Sequence, residues 1–152
     1  MKIKYANKKL KKSIFLAGPT PRDVGVPSWR PEAIKLLEEN QFTGTVFVPE
    51  TEDGEWRHDY NAQIHWEWEA LNQCTVAVFW VPRELEDMPA FTTNVEFGMF
   101  ATSSKVILGF PPSAPKMSYV ERLADRYNIA VWHSLDDVIS EAVYKTTQPF
   151  GI

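Results

Sequence analysis

Apolar positions along the chain follow two alternating patterns. Short continuous apolar runs read as buried strands, and longer stretches with apolar residues three and four apart read as helices. The strand candidates are "SIFLAG" (13–18), "TVFVPE" (45–50), "TVAVFWV" (75–81), "KVILGF" (105–110) and "IAVW" (129–132). Between and after them stand "PEAIKLLEEN" (31–40), "NAQIHWEWEALNQ" (61–73), "TNVEFGMFATS" (93–103), "SYVERLADRY" (118–127) and "SLDDVISEAVYK" (134–145), which read as helices. Pro31 suits a first helical position, and Ala33, Ile34, Leu36 and Leu37 supply an inward face behind it. Ser134 suits an N-cap. "TVAVFWV" is the most continuous apolar run, which predicts a central strand buried on both faces.

Strands that alternate with helices predict an α/β fold with a doubly wound, five-stranded parallel sheet. Right-handed crossovers favour the flavodoxin-like, Rossmann-like strand order 2-1-3-4-5. A chain of 152 residues suits a single domain over 1–152, with a basic leader at 1–12 and a tail at 147–152. In such a sheet ligands bind beyond the carboxyl ends of the strands, where the strand order reverses. That places "GPTPR" (18–22), "PE" (49–50), "PRE" (82–84), the start of the helix carrying Glu96, and "GFPP" (109–112) at the mouth of the sheet.

Composition narrows the ligand. The net charge is -4 and the pI about 5.4, which argues against binding a nucleic-acid backbone. The one basic cluster, Lys2, Lys4, Lys8, Lys9, Lys11 and Lys12, reads as a solvated leader. Ile14 to Ala17 is too short an apolar run for a secretion signal, and no stretch has the length of a membrane span, so no membrane partner is expected. A single cysteine, Cys74, excludes an internal disulfide and fits a reducing cytoplasm. Cys74 reads as a buried structural thiol. Six Trp give either flat walls for a ring-shaped ligand or an aromatic-rich core.

Familiar tenants of this architecture are absent from the sequence. "GPTPRDVGVP" after the first strand has too few glycines for a dinucleotide fingerprint. No Walker lysine motif or G-x-S-x-G elbow occurs. A receiver aspartate is missing where Val81 and Pro82 stand. His58, His65 and His133 show no metal-ligand spacing and read as solvent-facing, so no metal is expected. Carboxylates remain. Glu96, read in the first turn of its helix, would be held ionised by the helix dipole. Glu67 and Glu69 flank Trp68 two residues apart, so only one of them can look into the cleft. Glu50 directly follows the second strand. Taken singly, each reads by default as a solvated or capping group; Thr93 and Glu96 have the spacing of a capping box.

Taken together, "FLAGPTPR", "SWR" (28–30), "VFVPE" (46–50), "VFWVPRE" (78–84), "TTNVEFG" (92–98) and "VILGFP" (106–111) resemble the nucleoside 2-deoxyribosyltransferase-like family, in order, from about Ile14 to Tyr119. The resemblance implies an enzyme that moves 2-deoxyribose between nucleobases through a covalent deoxyribosyl ester on Glu96, with retention and ping-pong order. It implies Glu67, over Glu69, as the second acid. It places Phe15, Ala17, Gly18, Pro19 and Arg22 of the first strand and its loop beside the substrate. Pro49 and Glu50 of the second loop join them, with Trp29, Trp56 and Trp66 as aromatic walls. Where the family carries an aspartate about six residues before the nucleophile this chain has Ala90, and Thr92, Thr93 and Asn94 are the groups expected on the sugar hydroxyls. It further implies no cofactor, neutral nucleosides and free nucleobases as substrates, and a homo-oligomer with shared active sites. The apolar tail "PFGI" (149–152) would reach a neighbour's site, or is a frayed end. Two other readings stay open. A nucleoside or nucleotide N-glycoside hydrolase would use water as acceptor, with Arg22, Arg30 or Arg83 near a phosphate. A non-catalytic nucleotide-binding module would keep the fold alone.

Overall fold

The structure, a computed structural model, describes residues 11–23, 25–53 and 59–148. Five parallel strands, β1 (Ser13–Ala17), β2 (Thr45–Phe47), β3 (Val76–Trp80), β4 (Val106–Gly109) and β5 (Val131–Trp132), form one sheet in the order β2-β1-β3-β4-β5. This is the order expected from the sequence. Five helices alternate with them: α1 (Arg30–Glu39), α2 (Tyr60–Gln73), α3 (Phe91–Phe100), α4 (Ser118–Arg126) and α5 (Leu135–Thr147). The order reverses between β1 and β3, where Phe15 pairs with Ala77 and Ala17 with Phe79.

Strand alternation builds two cores. On one face Phe15, Ala17, Phe79 and Val81 pack with Leu71 of α2, Phe97 of α3 and Ala124 of α4. On the other, Ile14, Leu16, Val78 and Trp80 pack with Ala33 and Leu37 of α1 and Val138 and Ile139 of α5. Every residue of β1 and β3 is buried, as sheets covered on both faces require.

Gly18 ends β1 with φ 152°, a conformation side chains rarely adopt. A Cβ there would lie 2.1 Å from the Trp80 carbonyl oxygen and 2.8 Å from the Trp29 ring. The chain therefore turns out of the sheet at this point only because residue 18 is glycine. Gly109 has a similar role at the end of β4, where a Cβ would meet Val138 at 2.2 Å.

Two helix starts are held by side-chain caps. Ser134 accepts a hydrogen bond from the Asp137 N–H, as the sequence predicts. Asp59 caps α2 by accepting from the Ala62 N–H at 2.7 Å. α3 begins at Phe91, two residues before its expected start, with Ala90 at the N-cap in the left-handed region, φ 62°. Cys74 is buried and donates to the Leu71 carbonyl at 3.3 Å; burial pushes its thiol pKa up, as suits a structural role. The leader up to residue 10 and the tail 149–152 lie outside the described residues. No described helix is long and apolar enough to cross a membrane.

Candidate active site

The loops at the reversal point enclose a cavity of about 500 Å³. Three segments supply most of its lining. The end of β1 and its loop supply Phe15, Ala17, Gly18, Pro19, Thr20 and Arg22. α2 supplies Tyr60, Gln63, Ile64 and Glu67, a stripe at i, i+3, i+4 and i+7 that turns one helix face inward. The start of α3 supplies Ala90, Phe91, Thr92, Thr93 and Glu96.

Glu96 sits in the second turn of α3, and no side chain caps this helix. The capping-box reading therefore fails: the earlier helix start moves Glu96 away from the free N–H groups. The dipole acts within the first turn, so it does not hold Glu96 ionised. Burial works the other way. Glu96 is 7% exposed, and its pKa is raised to about 8, first by desolvation and then by the charge of Glu67 and a hydrogen bond to it, against a lowering by Arg30. Its neighbour Phe97 meets Phe79 edge-on at 5.4 Å, which pins α3 to β3 and turns Glu96 to the cleft.

Glu67 meets Glu96 from α2 and accepts a hydrogen bond from Gln63 Nε2 at 2.7 Å. Glu69 is exposed, so of the two only Glu67 lines the cavity. Two carboxyls in hydrogen-bond contact inside a sheltered cavity cannot both ionise readily. Near neutral pH Glu96 therefore keeps its proton, in contact with Glu67.

Arg30 completes the cavity wall and is 1% exposed. Its Nε donates to the Leu16 carbonyl at 3.0 Å, and its Nη2 to the Gly18 carbonyl at 2.7 Å. Its Nη1 donates to Thr20 Oγ1 at 3.0 Å and forms a salt bridge with Glu50. Burial lowers the Arg30 pKa while Glu50 opposes the change; arginine stays charged throughout the ordinary pH range.

Several expected site residues lie elsewhere. Trp29 is behind the cavity: its Nε1 donates to the Pro19 carbonyl at 3.1 Å and its ring underlies Arg30. Glu50 does not line the cavity; it binds Arg30 and accepts from Ser28 Oγ at 2.8 Å. Asn94 points away and accepts from Arg83 Nη2, because on α3 it falls on the face opposite the cleft. Pro49 does line the cavity. Trp66 is not a wall but packs its ring 6.3 Å from both Phe15 and Phe47, outside the lining. Trp56 and His58 lie outside the described residues, while His65 is exposed. His133 is also exposed, and its Nδ1 hydrogen-bonds the Phe110 carbonyl. Arg83 also stands apart from the cavity, donating to the Lys116 carbonyl.

Sequence reasoning missed Thr20, Tyr60, Gln63, Ile64 and Phe91 as lining residues, and Arg30 as a buried anchor. The α2 stripe had a visible signal, since the four positions share the helix face of Glu67. Arg30 had only a weak one, an arginine beside Pro31 at a helix start, where the dipole disfavours a cation.

A family model described as nucleoside 2-deoxyribosyltransferase like matches residues 11–114. The chain belongs to this family. The match takes in β1 to β4 and every described group that lines the cavity. A comparison with curated proteins found no match. Family membership indicates an enzyme that handles glycosyl groups.

Proposed function

We propose that this protein is a nucleoside 2-deoxyribosyltransferase that exchanges nucleobases on 2'-deoxyribonucleosides. The observation that carries the reading is the meeting of buried Glu96 with half-buried Glu67 in a cavity at the reversal point of the sheet. The family match supports the same chemistry.

In this reading the singly protonated pair is the active form. A nucleoside binds with its sugar against Phe15 and the Thr92 and Thr93 hydroxyls, and its base towards Tyr60 and Phe91. A carboxylate oxygen of Glu96 attacks C1'. The C1'–N bond breaks as the shared proton passes through Glu67 to the leaving base. A deoxyribosyl ester on Glu96 and a free nucleobase result. A second base then attacks C1' through its ring nitrogen and gives its N–H proton to Glu67. The ester oxygen leaves as the Glu96 carboxylate, which restores the pair. Two inversions give net retention. Neutral substrates need no basic patch, and no cofactor enters the cycle.

Incubation with 2'-deoxyadenosine, with and without cytosine, tests the reading. Deoxycytidine formed only when cytosine is present supports transfer. Free adenine and free sugar at similar rates without an acceptor would instead identify a hydrolase. That second reading has one observation in its favour: Arg22 lines the cavity and stacks 5.8 Å from the Phe91 ring, where it could meet a nucleotide phosphate. No turnover of any deoxynucleoside or deoxynucleotide would leave a binding module.

A further inference from the structure

We propose that Arg30 is a positioning residue for this reaction: a guanidinium clamped in the cavity wall, whose fixed charge sets how many protons the Glu96–Glu67 pair carries. The proposal rests on the reading above and adds a group to it.

The clamp is the first argument. Arg30 makes four hydrogen bonds, three to β1 and the loop after it and one to Glu50 in the loop after β2, and two of them go to backbone carbonyls that cancel no charge. Its one carboxylate partner, Glu50, has a side chain 18% exposed. Glu50 is thus the more exposed end of the ion pair, while the buried guanidinium lines the cavity. Burying a guanidinium only to hold a loop is costly, and neutral donors would serve the carbonyls and Thr20. The placement makes sense if the charge itself is used.

The second argument is what surrounds the carboxyl pair. From α1 comes Arg30. From α2 come Glu67 itself, Gln63 and Tyr60. From the loop after β1 comes Arg22, which is exposed and thus screened by water and salt. From the loop after β2 comes Glu50, acting on the pair through Arg30. α3 adds only the Thr92 and Thr93 hydroxyls to Glu96 itself. Arg30 is the sole buried cation among the described residues that line this cavity. Its charge acts on Glu50, then Glu67, then Glu96, and it opposes the rise of Glu96. Without it, the pair would hold its protons to higher pH and offer less ionised nucleophile at neutral pH.

Three variants and two readouts test this. The first readout is the pH profile of kcat/KM for transfer. The second is a carbon NMR titration of the carboxyls in protein labelled with carbon-13 glutamate, with the Glu96 signal assigned by its loss in Glu96→Gln. The titration needs no turnover, so a failure of the transfer reading and a failure of this proposal are seen separately. In Arg30→Gln the Glu96 midpoint and the alkaline limb should both rise by about one pH unit. In Arg30→Lys, which keeps the charge but not the fork, the midpoint should stay while kcat falls. In Glu50→Gln, where the Arg30 charge is unopposed, the midpoint should fall. An unmoved midpoint in Arg30→Gln, with activity lost equally in Arg30→Lys, would mean a purely structural arginine and overturn the proposal. If Arg30→Gln does not fold, Glu50→Gln decides: a lowered midpoint supports the proposal and an unmoved one overturns it.

Discussion

Glu96 holds a proton near neutral pH because dehydration and Glu67 together outweigh the pull of Arg30. This arrangement weakens the fold. The folded-state pKa, about 8, lies above the ordinary value of 4.5, so the folded chain binds a proton that the unfolded chain has released. The stabilising contribution is complete below about pH 4.5 and is lost as pH rises through 8. Glu96→Gln keeps a hydrogen-bonding partner for Glu67 and removes the titration. Its transfer activity should be abolished. Its stability should match the wild type near pH 4.5 and exceed it by on the order of 5 kcal/mol above pH 8. Thermal unfolding at the two pH values checks this; equal melting temperatures at pH 8 would show that Glu96 is not strained by its site. Glu96→Ala should likewise lose transfer with the fold intact, and near-normal transfer would remove Glu96 from the nucleophile role.

At the scale of elements, α2 carries Glu67, the proposed acid, and α3 carries Glu96, the proposed nucleophile, and each is aimed by a different device. The edge-on Phe79–Phe97 contact fixes α3. α2 buries only Ala70 and Leu71 on the sheet, so its first turn depends on the Asp59 cap. Asp59→Ala should cost about 1 kcal/mol, the usual scale for a lost cap. Because Tyr60 and Gln63 follow directly, kcat/KM for transfer should drop as well. Ser134→Ala removes the cap of α5, on the other face of the sheet, and is the control. It should cost similar stability in urea unfolding and leave transfer unchanged. A cap loss at Asp59 with unaltered kcat/KM would show that the α2 stripe does not bind substrate.

For the whole molecule, one group of exposed apolar residues lies on the two helices that line the site. Phe91, Val95 and Met99 follow one another at i, i+4 and i+8 along α3, and they are 69%, 63% and 53% exposed. Tyr60 and Trp68 on α2 add to the exposed apolar surface. A face of this kind supports the proposed homo-oligomer. Sedimentation should report a dimer or larger assembly for the wild type and a shift to monomer in Val95→Asp or Met99→Asp. Where neighbouring subunits share sites, transfer should fall with the assembly. A monomeric wild type with full transfer activity would exclude shared sites.

The strand order, the alternation of elements and the position of the cleft were legible in the chain itself. They depend on the length and period of apolar runs, which are local properties, and on the fixed hand of parallel crossovers. Glu96 was legible as a residue, through the Glu-Phe-Gly helix start. Its environment was not. The helix begins two residues earlier than the pattern implied, at an alanine in the left-handed region, and no local propensity marks that start. The selection of Glu67 over Glu69, the withdrawal of Asn94 and Glu50 from the cavity, and the burial of Arg30 came from folding. So did the proton on Glu96. Each depends on which groups from distant parts of the chain meet and are buried together, and a protonation state is set by that meeting rather than by neighbours in sequence.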